Sequence, residues 1–157
     1  ADPAYAISGG YPGTFSQTPA ASAHGAGSVI GTVGSMTLGP AAGGEVIITY
    51  SNLMVAAAAL VASEANYDLQ LYSASPPSAF ADTTTWDLPA GDRSVYLGKL
   101  TLGAPADLGS TLFVEQAGLQ KQITVPSGGL VYYYLVTTAA ITPGAVARSG
   151  VVRSVRV

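Results

Sequence analysis

The single histidine is the residue best suited to acid–base chemistry in this chain. His24 lies in the small-residue stretch ASAHGAG. A histidine that activates a serine needs an orienting carboxylate and a nucleophile presented on a sharp turn such as Gly-x-Ser-x-Gly. Serines and aspartates are plentiful, but no Gly-x-Ser-x-Gly string occurs in the sequence. We therefore expect His24 to be a hydrogen-bonding loop residue, and we expect no catalytic residues and no enzymatic activity.

Two pairs of carboxylates lie close together in the sequence. Asp82 and Asp87 share one Thr-rich segment, and Glu64 and Asp68 flank one turn. Paired carboxylates perform glycoside hydrolysis, but Asp is also common in turns because its side chain hydrogen-bonds the nearby backbone. A calcium site built from Asp82, Thr84 and Asp87 would lack the Asp-x-Asp-x-Asp-Gly ligand spacing of calcium-binding loops. We expect neither a metal ion nor a cofactor.

The composition indicates a protein whose surface lacks the usual charges. Only 9 acidic and 6 basic residues occur among 157, whereas hydrophobic residues make up 48%. A free monomer normally relies on a higher charge density for solubility, so either partners cover much of the surface or Ser, Thr and Gly keep it soluble. Because the chain has no cysteine, disulfides and thiolate metal sites are excluded. A pI near 4.8 argues against nucleic-acid binding.

The charges are unevenly distributed along the chain. Residues 1–92 contain seven acidic residues and no basic one, whereas residues 93–157 contain all six basic residues and two acidic ones. These charges either cancel within one fold or make the acidic edge of one subunit attract the basic edge of another. In the second case we expect Arg148, Arg153 and Arg156 to meet an acidic surface, such as that of a neighbouring subunit.

Two further features bear on location. The N-terminal sequence ADPAYAISGGYPG has neither the basic region nor the apolar region of a secretory signal. The longest apolar run, residues 53–62, has ten residues, about half of what a membrane-spanning helix needs. The N-terminus could be mature after processing or could lack only its initiator Met, and we expect no contact with a membrane.

Residues 1–26 are predicted to form an extended N-terminal arm. Gly, Pro, Ser, Thr and Ala dominate this segment, and no regular hydrophobic period persists in it. Tyr5, Tyr11 and Phe15 are spaced along it, and disordered tails rarely keep aromatic residues. We expect these three rings to anchor the arm to its own domain or to a neighbouring protein. Residues 27–157 then form one domain.

Alternating apolar and polar residues predict about eight short strands after the arm. Residues 53–62 and 66–74 are expected to pair as a hairpin, although the first segment also has the composition of a helix. Residues 119–125 and 130–138 are expected to pair across the turn PSGG. The threonines at 83–85 are suited to cap a short helical turn. The regular turn signals predict an all-β fold, an antiparallel β-sandwich or jelly-roll-like arrangement with an extended arm.

Three segments carry a resemblance to a known family: DLQLYSASP at residues 68–76, FADTTTWDL at residues 80–88 and DRSVYLGKLTL at residues 92–102. A strand runs into a small-residue and proline segment, an acidic Ser/Thr-rich excursion follows, and an Asp-led turn leads to a strand that starts near Leu-Gly. This order resembles the capsid decoration proteins of tailed bacteriophages, also called cement or head-stabilising proteins. The first strand here ends in one ring, Tyr72, where the family has an aromatic pair.

The resemblance implies a structural virion protein. Proteins of this family bind the outer surface of the capsid, which is assembled in the host cytoplasm, and they bridge neighbouring capsomers. The implied partner is the major capsid protein, and the implied assembly is a homotrimer on threefold or quasi-threefold axes. For such a protein we expect interface residues among the arm aromatics, the three C-terminal arginines and Trp86.

Two other functions stay open at this point. A secreted donor-strand filament or pilus subunit would also combine a Gly/Ser-rich sandwich with an N-terminal extension. Residues 1–26, however, do not alternate as a donor strand would. A carbohydrate-binding module would use Trp86 and the nine tyrosines as a platform for stacking sugars.

Overall fold

Two antiparallel sheets pack face to face in the computed structural model, which describes residues 10–157. The nine strands of these residues are β1 (Tyr11–Gln17), β2 (Val29–Thr37), β3 (Gly44–Val55), β4 (Tyr67–Tyr72), β5 (Tyr96–Gly103), β6 (Ala106–Asp107), β7 (Leu112–Val125), β8 (Leu130–Thr137) and β9 (Arg148–Arg156). The first sheet has the order β1-β9-β3-β7-β6, and the second has the order β2-β8-β4-β5. The predicted all-β class and antiparallel sandwich are confirmed.

The main hydrophobic core fills the space between the two sheets. Along β3, Val46 and Ile48 are fully buried while Glu45 is exposed, because successive side chains of a strand point to opposite faces. Strand β4 of the second sheet contributes Leu69 and Leu71 to the same core. Burying an aliphatic side chain of this size contributes about 1.5–3 kcal/mol, so this core is the main source of stability.

A second hydrophobic cluster lies on the outer face of the second sheet. The connection between β4 and β5, residues 73–95, packs Phe80 and Trp86 against Tyr72 and Tyr134 there. The indole Nε1 of Trp86 donates a hydrogen bond of 2.8 Å to the hydroxyl of Tyr72. The second sheet is therefore covered on both faces at this point, which explains why all six residues of β4 are buried.

The first strand lies inside the segment that the sequence predicts to be an arm. Tyr11–Gln17 forms one edge of the first sheet and pairs with β9 along its whole length. The sandwich therefore begins before residue 27, and the predicted boundary between residues 26 and 27 is corrected. Composition hides this strand because Pro12 and Gly13 interrupt its apolar pattern. Residues 1–9, with Tyr5, lie outside the described residues.

Both predicted hairpins are wrong. Residues 53–55 belong to the end of β3, residues 56–62 form no strand, and β4 pairs with β8 and β5 instead. The turn at residues 126–129 leads from β7 in the first sheet to β8 in the second, so these two strands do not pair. A turn sequence fixes the local change of direction, but it does not fix which sheet the chain enters next.

The only helical element among residues 10–157 is a 3-10 helix, Ala90–Val95, which follows Pro89 and has no side-chain cap. The predicted capping role of the threonines at 83–85 is therefore wrong. These residues share backbone hydrogen bonds with the start of β2 instead. In the described part of the chain, no helix has the length and apolar character needed to cross a membrane.

Candidate functional site

Three of the connections that pass between the sheets at one end of the sandwich are rich in alanine. Residues 18–28 lead from β1 to β2, residues 56–66 from β3 to β4, and residues 138–147 from β8 to β9. Each connection passes from one sheet to the other at the end where β1, β3 and β8 finish. Alanine is the commonest residue in all three, and we call this surface the alanine-rich end.

Backbone hydrogen bonds join the three connections into one surface. The N–H of His24 donates to the carbonyl of Ile141 at 2.7 Å, and the N–H of Ile141 donates to the carbonyl of His24 at 2.9 Å. The N–H of Thr138 donates to the carbonyl of Asn66 at 3.0 Å. A hollow of about 230 Å³ lies between the connections, lined by Ala23, Ala62, Ala140, Ile141 and Thr142 beside His24. The surface is therefore preformed in the isolated chain.

The outward surface of the alanine-rich end is largely apolar and carries no charge from the three connections. Leu60 is 42% exposed there. Its exposed neighbours along the connection are Ala56, Ala58, Ala59 and Ala62. The only titratable side chains in the three connections are those of His24 and Glu64. Both side chains are fully buried, so these connections contribute no charge to the surface.

His24 joins the alanine-rich end to the 73–95 connection. Its Nε2 lies 2.8 Å from Oδ1 of Asp82, and its Nδ1 lies 2.8 Å from the carbonyl oxygen of Ser22. Both of these partners can accept a hydrogen bond from the ring. The Asp82 carboxylate also accepts hydrogen bonds from the N–H groups of Ala20 and Gly31, at 2.8 and 2.7 Å. The predicted hydrogen-bonding role of His24 is confirmed.

These contacts also explain the charge state of Asp82. Partial burial alone would raise the pKa of this carboxyl, but the hydrogen bonds from His24 and from two backbone N–H groups outweigh burial and lower the pKa. The ionised carboxylate therefore pins the 73–95 connection to the alanine-rich end. Both of its oxygens are engaged by hydrogen bonds. Within residues 10–157, no group of three His, Cys, Asp or Glu side chains comes together as a metal site would require.

Glu64 and Arg148 form a buried ion pair beneath the alanine-rich end. Nη2 of Arg148 lies 2.9 Å from Oε2 of Glu64, and the two side chains are 2% and 0% exposed. The hydroxyl of Tyr67 also donates to Glu64, and Nη1 of Arg148 donates to the carbonyl of Val146 at 2.8 Å. The other oxygen of Glu64 accepts a hydrogen bond of 3.3 Å from the N–H of Val61. These bonds hold the connection that carries Glu64 against the start of β9.

The prediction that Arg148 meets the acidic surface of a neighbour is therefore wrong. Its guanidinium is buried, and its partners lie within its own chain. A lone arginine before a strand gives no sequence signal of a buried partner. Burial, together with the hydrogen bond to Glu64, raises the pKa of Tyr67 well above its usual range. Tyr67 therefore stays a neutral hydrogen-bond donor to the carboxylate.

Arg153 and Arg156 lie on the second half of β9, and both are exposed. The guanidinium carbon of Arg153 lies 6.0 Å from the centre of the Tyr50 ring, a distance at which a cation is attracted to the ring face. Both arginines are placed where another subunit could reach them. Their contact with an acidic surface stays a prediction.

The aromatic residues assigned to the arm pack within the sandwich where the structure describes them. Phe15 is 2% exposed and meets Tyr133 edge to face, with ring centroids 5.9 Å apart. Tyr11 is half-buried and contacts the same core. Of the two predicted anchors for these rings, Tyr11 and Phe15 therefore have the chain's own domain, and little of the Phe15 side chain is open to a neighbour.

Trp86 is half-buried within the second cluster, where it lies 6.0 Å from Tyr96 between ring centroids. Its indole N–H is already bound to Tyr72. Trp86 therefore holds the 73–95 connection on the second sheet, and only part of its ring is open to a partner. The structure does not bring Trp86 together with Arg153 or Arg156 through any hydrogen bond, ion pair or ring contact of the described residues.

Sequence reasoning missed the exposed surface around Leu60. Ten apolar residues in succession fit a strand buried on both faces, which is why residues 53–62 are predicted above to form one strand of a hairpin. The useful signal was the preference for Ala over Val, Ile and Leu after residue 55, because alanine favours strands weakly.

Two comparisons with known proteins gave no match: no protein-family model matches the chain, and no curated protein matches it.

Proposed function

We propose that this chain is a structural virion protein that binds the outer surface of a tailed-phage capsid and bridges neighbouring capsomers. The major capsid protein is its partner, and the outside of the assembled head is its location. The resemblance carried by residues 68–102 supports this proposal. In the fold, these residues span β4, the connection that covers the second sheet, and β5, which is the strand–excursion–strand order of the family.

The alanine-rich end is the single observation that carries the proposal. Binding to a protein lattice needs surface burial, on the order of 1,200–2,000 Å² for a stable contact, and it needs no reactive group. Exposed alanine and leucine side chains lose no hydration of charges when a partner covers them. Their burial is therefore favourable without a matching charge on the partner. A surface of this kind fits a patch of the capsid protein that is itself apolar or uncharged.

The buried polar pairs prepare this end for binding. Ordering a flexible loop during association costs about 1–2 kcal/mol per residue in backbone entropy. The His24–Asp82 and Glu64–Arg148 pairs fix the connections before a partner arrives. The free chain has therefore already lost part of the backbone entropy that a flexible loop would lose on binding. This increases affinity for a given contact area.

We also propose that the chain acts on the capsid as a homotrimer. Three copies held together would place three alanine-rich ends on neighbouring capsomers at once. Each end that detaches would rebind as an intramolecular event, which can raise overall affinity by about 10²–10⁴ over one contact. Many weak apolar contacts would then give an attachment that dissociates slowly.

Co-sedimentation with empty heads of the phage that encodes the chain tests the proposal. The wild-type chain is expected to pellet with the heads. Leu60→Asp places a charge in the centre of the alanine-rich end, so it should weaken binding at least about tenfold. Leu130→Asp is the matched control, because Leu130 is 38% exposed and lies at the opposite end of the sandwich. A wild-type chain that stays in the supernatant, or equal binding by Leu60→Asp, would contradict the proposal.

Three observations count against the alternative functions. A donor-strand subunit needs an N-terminal strand that is free to enter a neighbour, but Tyr11–Gln17 is paired with β9 of its own chain. The outer edge of that strand is also poor for pairing, since Pro12 has no N–H and the N–H of Ser16 is bound to the Tyr133 hydroxyl at 3.2 Å. A sugar platform needs an open ring, but Trp86 is half-buried against the second sheet.

A further inference from the structure

A groove of about 620 Å³ lies beside the β1 edge of the first sheet, and it is separate from the hollow of about 230 Å³ at the alanine-rich end. Its walls include Phe15, Gln17, Met54, Tyr133, Ser149 and Val151. None of the residues that line it carries a charge. A volume of this size is within the range of sites that hold small ligands or short peptide segments. The lining therefore suits an uncharged, apolar group with flanking backbone.

The groove has a fixed polar floor. The Tyr133 hydroxyl accepts hydrogen bonds from the N–H of Ser16 at 3.2 Å and from Nε2 of Gln17 at 3.4 Å. Gly34 lies under the same ring, and any side chain there would collide with it. The proton of the Tyr133 hydroxyl meets no acceptor among residues 10–157. It is therefore available to a backbone carbonyl that enters the groove.

The most exposed large hydrophobic side chain of the described residues lies at the opposite edge of the same sheet. Leu108 is 66% exposed and follows β6 directly. Its N–H donates to the carbonyl of Thr111 at 2.9 Å, and the N–H of Gly109 donates to Oδ1 of Asp107 at 2.8 Å. These bonds fix a tight turn with the leucine at its tip. We call this turn the Leu108 knob.

The knob and the groove also carry complementary charges at their rims. Asp107 lies directly beside Leu108 and is exposed. Arg153 is exposed two positions beyond the groove residue Val151 on the same face of β9. The acidic residue is thus at the β6 edge of the sheet, and the basic residue is on β9, the strand next to the β1 edge. Charges arranged in this way favour one orientation of contact between two copies.

We propose that the Leu108 knob of one copy inserts into the β1 groove of a second copy. Because the two surfaces differ and lie at opposite edges of one sheet, the contact is heterologous. It repeats from copy to copy, and it closes into a ring when the rotation between copies permits. The contact needs no capsid. Its failure would therefore leave the capsid-binding proposal untouched, and failure of capsid binding would leave this contact intact.

Sedimentation equilibrium of the isolated full chain tests this contact. Wild-type chain is expected to self-associate at concentrations up to about 100 µM, whereas Leu108→Asp and Met54→Asp each weaken association at least about tenfold. Both residues are exposed, at 66% and 44%, so the variants should fold, which circular dichroism checks. Leu130→Asp is the matched control, because Leu130 is an exposed leucine outside both the knob and the groove, and this variant should associate like the wild type.

Mixing the two variants gives the decisive result. Chains with Leu108→Asp keep an intact groove, and chains with Met54→Asp keep an intact knob. A heterologous contact therefore predicts that the mixture forms a one-to-one dimer and nothing larger, although each variant alone is a monomer. A wild-type chain that stays monomeric, variants that associate like the wild type, or a mixture that stays monomeric would overturn the proposal.

Discussion

Arg148 and Glu64 are 84 residues apart in the sequence, yet Nη2 of the arginine lies 2.9 Å from Oε2 of the glutamate in the interior of the protein. The pair joins the start of β9 to the connection that presents Leu60. In a chain with so few charges, one acid and one base are thus placed beneath the exposed apolar surface and not on it. This relationship links the fold to the proposed adhesion, because it fixes the shape of the alanine-rich end.

Removing one member of this pair should destabilise the protein strongly. Glu64→Ala leaves the Arg148 guanidinium buried without its carboxylate, which is expected to cost about 3–5 kcal/mol of unfolding free energy. Urea denaturation followed by circular dichroism measures the change. Asp87→Ala is the control, because Asp87 is exposed and its loss should cost less than about 0.5 kcal/mol. A loss below about 1 kcal/mol for Glu64→Ala would show that the pair does not hold this end.

Asp82 should make the protein sensitive to acid. Its pKa is lowered in the fold from an ordinary value of 3.8, so below neutral pH the unfolded chain takes up this proton first. The stability that Asp82 contributes is therefore present above its ordinary pKa and is lost as the pH falls through the lowered value. Asp82→Asn removes this contribution at every pH.

Urea unfolding at several pH values between about 7 and 2 checks this prediction. The difference in unfolding free energy between the wild type and Asp82→Asn should be largest near neutral pH and should shrink below the ordinary Asp pKa of 3.8. A difference that stays constant over this range would mean that the carboxylate is not held ionised by His24 and its backbone donors.

Tyr72 should make the unfolding free energy fall as the pH rises in the alkaline range. Burial raises the pKa of Tyr72 from 10.0 to about 12. Between these values the unfolded chain loses the proton first, so the stability contributed by the neutral hydroxyl falls as the pH rises. Tyr72→Phe should lose about 1 kcal/mol at neutral pH with the Trp86 hydrogen bond. The difference in unfolding free energy between the wild type and Tyr72→Phe should become smaller between pH 10 and 12. Urea unfolding measures this difference, and a constant value over this pH range would contradict a raised pKa for Tyr72.

Gly150 should tolerate no side chain. A Cβ at this position would overlap the carbonyl oxygen of Asn52 and would lie 2.6 Å from Cζ of Phe15. Gly150→Ala is therefore expected to lower the unfolding free energy by about 1–3 kcal/mol. Gly91→Ala is the matched control, since nothing lies within 4 Å of a Cβ there. Thermal denaturation of the two variants separates them, and equal melting temperatures would argue against the close packing of β1 on β9.

The features of a strand that depend only on its own residues, such as which side chains share a face, can be predicted from the sequence. In β9, Val152 and Ser154 lie on the buried face and Arg153 lies on the exposed face, as the alternation of side chains along a strand requires. In the same way, Tyr133 belongs to the main core, and Tyr132 and Tyr134 belong to the second cluster. A period of two residues needs no knowledge of distant partners, so the sequence alone indicates which side chains of a strand share a face.

The pairing of strands and the candidate site could not be predicted in this way. Whether β7 and β8 share a sheet depends on where distant strands pack, and the turn at 126–129 carries no information on that. The burial of Arg148 depends on Glu64, which is remote in the sequence. Long-range contacts of this kind leave no trace in composition or periodicity.

Cryo-electron microscopy of empty heads decorated with the purified chain tests whether the protein bridges capsomers. We expect added density on the outer surface of the head, bridging neighbouring capsomers, with Leu60 and the rest of the alanine-rich end facing the shell. The turn at residues 126–129, at the other end of the sandwich, should face solvent. Heads without added density, or a chain bound with the turn at 126–129 against the shell, would contradict capsid binding through the alanine-rich end.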